Sequence, residues 1–299
     1  MNASRALTIR LRSRANKGAW SAGRVQTPTL ALLVDRELEI LAHVPEPYWR
    51  VVAKFQAPDH EYEATWFDPD FQSDDSKPQL KSDRIFEEAK ANAIVAATRI
   101  MRALEEPSRE TAHPLFDLTS LQRDANRRFG WSAARTLQAA QRCYEQHKVL
   151  TYPRTDSRCL PEDYRPEVDK ILQSLAGSQD YGPHARTLIT AGRQNESKIF
   201  NNAGISDHFA IIPTGQIRSG LTGDDEKLFD LVTRRFLAAF YPPAVWEQVE
   251  RKTVVEGQTF QSRARTLKEP GWRTVLEQTS SESSALPPLA AGESVDGVG

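Results

Sequence analysis

Cysteine is scarce in this sequence: Cys143 and Cys159 are the only two among 299 residues. Two cysteines exclude a disulfide framework and a zinc site built from CxxC pairs. They fit reduced thiols in a cytosolic protein. Long hydrophobic runs are missing as well. None reaches the roughly 20 residues of a membrane span, so no membrane association is expected. The N-terminus carries arginines but no apolar stretch followed by a small-residue cleavage site, which argues against a secretory signal. There is no internal repeat. Acidic residues are absent from the first 26 positions.

What is present suits a folded, water-exposed protein. Hydrophobic residues make up 39% and charged residues 26%, enough for a core and ordinary for the surface. The length suggests two domains or one large one. The net charge is −1, but residues 1–26 hold Arg5, Arg10, Arg12, Arg14, Lys17 and Arg24 without a carboxylate. That segment therefore carries +6 and the other 273 residues −7. A basic stripe on a neutral chain is a candidate phosphate footprint, although a solvated terminus would look the same.

Periodicity divides the chain into four stretches. Residues 1–45 read as helical. Gly18 and Gly23 break this stretch, and the helix that follows over 27–41 has Pro28 in its first turn. It carries Leu30, Leu33, Val34, Leu38 and Leu41 as a stripe, and Pro45 and Pro47 end it. Alternation begins at Tyr48, with Trp49, Val51, Ala53 and Phe55 on one strand face and Tyr62, Ala64 and Trp66 on another. A polar loop over 68–83, a helix over 83–96 and a strand near 97–104 come next. The block 113–240 reads as mostly helical, with helices at 119–129, 132–147, 166–175 and 227–239. Strand character returns at 249–255, 259–267 and 272–275. The last 20 residues are rich in Ser, Pro, Ala and Gly and read as a frayed tail.

Three clusters could carry chemistry. Tyr152-Pro153-Arg154-Thr155-Asp156-Ser157 follows a helix as an extended turn, because proline biases the preceding residue away from helix. A tyrosine can act as a nucleophile only with help. A free phenol ionises near pH 10, so at pH 7 roughly a thousandth of it is phenolate, a handicap of about 4 kcal/mol. Arg154 could offset that and could grip phosphate oxygens with two parallel donors. A plain surface turn with a half-packed tyrosine is the competing reading. The second cluster is Ser206-Asp207-His208-Phe209-Ala210-Ile211-Ile212-Pro213-Thr214, where His208 could donate to a phosphate or simply cap or pack. The third is Ser21-Ala22-Gly23-Arg24-Val25-Gln26-Thr27-Pro28, a small-residue loop running into a helix start. Free amides and the helix dipole favour an anion there, and an ordinary helix start would look similar. Asp68-Pro69-Asp70 has a spacing found among Mg²⁺ ligands, but its Pro/Asp/Ser surroundings read as a loop.

Taken together and in order, these segments resemble the type IA DNA topoisomerases, most closely their bacterial topoisomerase III branch. Residues 21–30 (Ser-Ala-Gly-Arg-Val-Gln-Thr-Pro-Thr-Leu) are similar to that family's DNA-contacting segment. Phe116-Asp117-Leu118-Thr119-Ser120-Leu121-Gln122 is similar to the start of its active-site domain, 151–157 to its nucleophile motif and 206–214 to its histidine motif. The resemblance implies an α+β multidomain gate fold in which a split β domain carries an inserted, mostly helical active-site domain. By that likeness 1–45 is part of a helical gate domain, 46–112 and 229–285 form the split β domain, 113–228 the insertion, and 286–299 a tail or truncated strand.

The resemblance also implies a reaction. The family cuts one DNA strand without ATP, through a 5′-phosphotyrosine link, passes a second strand, and reseals the first by attack of the freed 3′-hydroxyl. Tyr152 would be the nucleophile, with Arg154 and His208 at the phosphate. Ser21, Ala22, Gly23, Arg24, Val25, Gln26, Thr119, Ser120 and Gln122 would contact DNA. The Mg²⁺ used by the family is held by a Toprim domain that would precede Met1, so its ligands are not expected in this chain. Expected partners are single-stranded DNA and a separately encoded Toprim domain. The expected location is the cytoplasm, with the nucleoid. On this reading the chain alone neither relaxes nor decatenates DNA. The alternative is a truncated module that holds single strands without chemistry.

Overall fold

Alternating stretches need partners to satisfy their backbone, and they find them in one antiparallel sheet. In the computed structural model, the described residues are 6, 9, 10, 25–56, 61–77, 79–95, 103–216, 220–255, 257–277, 286 and 296–298. The chain divides into two compact units, one of 1–50 with 84–92, the other of 51–83 with 93–299.

In the first unit, helix α1 (Gln26–Ala42) starts after Val25, and the Thr29 hydroxyl donates to the Val25 carbonyl at 2.8 Å. It ends where His43 turns extended, as expected of a chain approaching Pro45 and Pro47. Its stripe of Leu30, Leu33, Val34, Leu38 and Leu41 is exposed, and α1 buries none of its residues. Trp49 and Ile85 exchange backbone hydrogen bonds at 2.7 and 3.0 Å. The Arg84 guanidinium lies 4.3 Å from the centre of the Tyr48 ring. The predicted helix at 83–96 is shorter, α2 (Glu88–Val95).

The second unit holds the sheet: β1 (Val52–Gln56), β2 (Glu61–Trp66), β3 (Ala103–Glu110), β4 (Ala244–Val255), β5 (Gln258–Glu269) and β6 (Asp296–Val298), in the order β3-β4-β5-β2-β1-β6. Every pairing is antiparallel. Phe55 pairs with Tyr62 in register, and their rings stack at 5.4 Å, with Phe260 edge-on to Phe55 at 5.8 Å. Strands from before and after the helical block thus share one sheet.

Two stretches differ from expectation. The strand expected near 97–104 lies at 103–110 and contains Pro107. It is the terminal strand of the order, where a missing N–H costs no ladder bond. The stretch 272–275, expected as a strand, is instead a 3₁₀ turn at Gly271–Thr274 with Val275 as its cap, anchored by the buried Trp272 indole donating to the Glu110 carbonyl at 3.0 Å. Asp296–Val298, in the stretch expected as a tail or truncated strand, pairs with β1.

The helices of the same unit are α3 (Leu118–Phe129), α4 (Ala133–Glu145), α5 (Arg165–Leu175), α6 (Gly182–Ala191), the single turn α7 (Glu196–Ile199) and α8 (Gly223–Ala239). The start of α3 is a capping box: Asp117 accepts from the Ser120 amide at 2.6 Å while the Ser120 hydroxyl accepts from the Asp117 amide. Gly130, at φ 69°, supplies the left-handed residue that closes the helix. Leu121, Ala125, Ala139, Cys143, Leu172, Leu228, Val232 and Phe236 form a core continuous with Trp246 and Trp272. Each fully buried Leu or Phe here contributes about 2–3 kcal/mol. Helix α8 runs unbroken through 228/229, the boundary suggested by the family resemblance. Arg142 of α4 grips Asp225 of α8 through Nε and Nη2, and His147 meets the same carboxylate at 3.2 Å. Sequence patterning did not anticipate α6, whose first residues are Gly182 and Pro183.

Candidate active site

The chain leaves α4 through Lys148, whose φ of 58° turns it sharply. Residues 149–159 then run beside 208–214. The Thr151 amide donates to the Ile212 carbonyl at 3.0 Å, and the Thr214 amide to Val149 at 2.9 Å. The Thr151 hydroxyl donates to Ala210 (3.0 Å) and accepts from the Ile212 amide (2.9 Å). Further along, the Thr155 hydroxyl donates to the His208 carbonyl at 2.8 Å, and the Ala210 amide to Cys159 at 3.0 Å. The start of α3 joins this clamp, since the Leu118 amide donates to the Thr155 carbonyl at 3.0 Å. Two segments about fifty residues apart in sequence are thus sewn together.

Burial along the clamp alternates. Pro153, Thr155 and Ser157 are buried, whereas Arg154, Asp156 and Arg158 are exposed and Tyr152 is half-buried. The chain bends at Pro153, between Tyr152 and Arg154. The Tyr152 ring lies 4.4 Å from the His208 ring and meets Tyr144 edge-on at 5.4 Å. Lys148 Nζ sits 5.4 Å from the Tyr144 ring centre. Arg154 is exposed and makes no hydrogen bond or ion pair to a described residue. Asp156 accepts from the Ser206 hydroxyl at 2.7 Å, a second tie between the loops. The site therefore presents a phenol flanked by an imidazole, with an exposed guanidinium two residues further along the chain. That combination can meet a phosphodiester.

The other expected contact residues are distributed unevenly. Thr119 is exposed at the start of α3, Ser120 is engaged in the capping box, and Gln122 Nε2 donates to the Ala133 carbonyl at 3.1 Å. Val25 and Gln26 are exposed at the start of α1, in the other unit. Ser21, Ala22, Gly23 and Arg24 lie outside the described residues. Asp68-Pro69-Asp70 is a turn in which the Asp68 carboxylate accepts from the Asp70 amide at 3.0 Å. Among the described residues no group of three or more His, Cys, Asp or Glu could hold a metal ion. The residues of this site therefore do not fit the Mg²⁺ that the resemblance implies. No helix among them is long and apolar enough to cross a membrane.

The sequence profile of a DNA topoisomerase family matches residues 1–299. The chain belongs to that DNA topoisomerase family. Its relatives include DNA topoisomerase 3 of Bacillus subtilis strain 168, 34% identical over 305 residues, covering 99% of this chain and 40% of the relative. DNA topoisomerase 3 of Bacillus cereus strain ATCC 14579 is 37% identical over 284 residues, covering 93% of this chain and 36% of the relative. This chain thus spans 36–40% of the length of these two topoisomerases. The fold is shared with full-length topoisomerase I from Thermotoga maritima, at a TM-score of 0.61 and 23% identity, over 94% of this chain and 45% of that one. As with the family resemblance, the likeness is to type IA topoisomerases, and the fold is α+β. Tyr144 and Lys148 were not singled out from sequence, and Thr155 and Ser206 were named only as members of their clusters, without a role. The alternation of small or apolar with charged residues over 153–158 was the available signal for Thr155.

Proposed function

We propose that this chain carries the nucleophile of a type IA DNA topoisomerase and acts on single-stranded DNA in the cytoplasm, at the nucleoid. The Tyr152 oxygen attacks the phosphorus of a backbone phosphodiester. The bond to the 3′-oxygen breaks, leaving a 5′-phosphotyrosine link and a free 3′-hydroxyl. Return attack by that hydroxyl reseals the strand and releases the phenol, so no phosphodiester is lost and no ATP is consumed. Arg154 stabilises the charge that builds on the phosphoryl oxygens, and His208 donates a hydrogen bond beside it. A donor that tightens only in the transition state is worth about 3–4 kcal/mol. The observation that carries this reading is the His208 ring 4.4 Å from the Tyr152 ring, with the exposed Arg154 two residues along the chain.

The 21–26 segment is proposed to hold the strand, and a Toprim domain to supply the Mg²⁺ ligands. The test is trapping. The protein is mixed with 3′-labelled single-stranded DNA, so that the label stays on the fragment joined to the tyrosine, with and without a Toprim fragment, and resolved under denaturing conditions. Wild type is expected to form a covalent adduct in at least one arm and Tyr152→Phe in neither, with Tyr152→Phe still binding the strand. Equal adduct from both proteins would remove Tyr152 from its role. Salt-dependent binding with no adduct in any arm would leave a DNA-holding module instead.

A further inference from the structure

Helices α3 and α8 face a cavity of about 550 Å³ that the Tyr152 chemistry does not use. Five arginines line it, namely Arg123, Arg127, Arg128, Arg158 and Arg235. Two carboxylates stand against them. Asp124, on the wall, is shared by Arg235 and Arg127. Asp117, the cap of α3, accepts from Arg158 Nε at 2.7 Å. Arg123 and Arg128 make no hydrogen bond or ion pair to a described residue. The cavity therefore has a surplus of positive charge with donors to spare.

One of these cations is built in rather than draped over the surface. The Arg235 side chain is 12% exposed. It stacks 4.3 Å from the centre of the Phe116 ring and donates to the Pro114 carbonyl at 3.4 Å. Burial pulls its pKa below the ordinary value; Asp124 opposes that, and Arg128 and Arg127 add to it. His113, also on the wall, is pushed toward its neutral form, first by burial and then by Arg235. A fixed, desolvated guanidinium among further arginines suits a planar or tetrahedral oxyanion that takes paired donors. The volume lies in the range of ligand sites.

We propose that this cavity binds a backbone phosphate of the DNA strand at a point beyond the one Tyr152 attacks. The inference rests on the reading of Tyr152 as a DNA site. The two places share a backbone: Arg158 lies four residues after Arg154 on the same outward face. Four residues span at most about 14 Å. A strand crossing Arg154 thus needs only a few nucleotides to reach the arginines. The cavity adds sequence-independent grip and fixes the path of the strand away from the cut.

The test uses the whole chain and labelled oligothymidylate, with binding followed by anisotropy from 0.05 to 0.3 M salt. The variants are Arg123→Ala with Arg128→Ala, both at unpaired positions whose loss leaves the core intact. The charge-matched control is Lys77→Ala with Lys81→Ala, two exposed lysines in another loop. Each phosphate contact on a single strand contributes about 0.7 to the slope of log affinity against log salt. The arginine double variant is expected to flatten that slope by about 1.4, which is a loss of roughly 25-fold at 0.1 M salt, while the lysine control stays at the wild-type slope. Equal slopes for wild type and the arginine variant would overturn the cavity proposal and leave the Tyr152 reading standing. Wild type that fails to bind the strand at any salt would overturn both. Calorimetry with inorganic phosphate separates the sources. Phosphate binding that is lost in the arginine variant, with strand affinity unchanged, would overturn the strand assignment.

Discussion

Replacing Thr155 with valine removes one oxygen and keeps the side-chain volume. That oxygen is the inner stitch of the clamp. It donates to the His208 carbonyl at 2.8 Å and accepts from the Ser157 amide at 3.0 Å. Thr155 is 8% exposed and Ser157 3%, so valine strands the Ser157 amide away from water. The His208 carbonyl belongs to an exposed residue and can be rehydrated. A lost net hydrogen bond is worth about 1 kcal/mol and a stranded buried donor about 1–3, so the variant should lose about 2–3 kcal/mol. Thr155→Ser keeps the oxygen and gives up one methyl, about 1 kcal/mol. With a urea m-value near 3 kcal/mol/M, valine should lower the unfolding midpoint by about 0.7–1 M and serine by less. Hydrogen exchange at the Ser157 amide should speed up in the valine variant only. In the trapping assay with a Toprim fragment, adduct yield should fall with valine and recover with serine, because His208 loses its tie to the tyrosine's strand. A valine variant within about 0.5 kcal/mol of wild type, with Ser157 exchange unchanged, would refute the clamp.

Asp117→Ala should cost about 1–2 kcal/mol, the usual loss for an N-cap, seen as a lower urea midpoint. Burial opposes ionisation of Asp117, but the Ser120 hydroxyl and amide and the Arg158 guanidinium outweigh it and hold its pKa below 3.8. That stabilisation is complete above about pH 4, where the unfolded carboxyl is ionised, and is lost as pH falls through the lowered native value. Asp117→Asn should therefore flatten the acid limb of the stability curve, and coincident curves below pH 4 would contradict this. Burial, then Asp225, pushes the Cys143 thiol up to about 12, and burial also raises Cys159. An alkylating reagent at pH 8 should label the partly exposed Cys159 first and Cys143 only on unfolding; equal rates in the native protein would show that α4 is not packed against α8.

Helices with a local start signal and an apolar stripe were legible in the sequence almost to the residue. The helix expected at 119–129 is α3 at Leu118–Phe129, and that at 166–175 is α5 at Arg165–Leu175. Both carry their start signals locally, in Asp117 and Pro166. Helix α6 was missed because Gly182 and Pro183 at its start read as breakers, while its packing comes from Ala185 and Leu188 against distant partners. Trp272 looked like strand because a buried tryptophan in a short apolar run has no period of its own, and its place is set by Glu110, 162 residues away. For the site, Tyr152 and His208 each stood out only in company. Their meeting depends on hydrogen bonds from Thr151 and Thr155 to 208–212, and no local pattern announces those. The arginines of the cavity were visible one by one, but α3 brings three of them together and α8 and the loop after Tyr152 supply the others.

The stitching of 149–159 to 208–214 also decides how the site would bear mechanical load. In the proposed reaction, a strand joined covalently to Tyr152 would pull on the phenol whenever the DNA is under tension. Tyr152 is not on a swinging arm. That pull would reach Ile212 through Thr151, His208 through Thr155 and α3 through Leu118, and from α4 it would pass by Arg142 and Asp225 into α8. No single hydrogen bond carries the force alone. The tyrosine and its supports would therefore move as one rigid block, and any bending during strand passage would fall outside them.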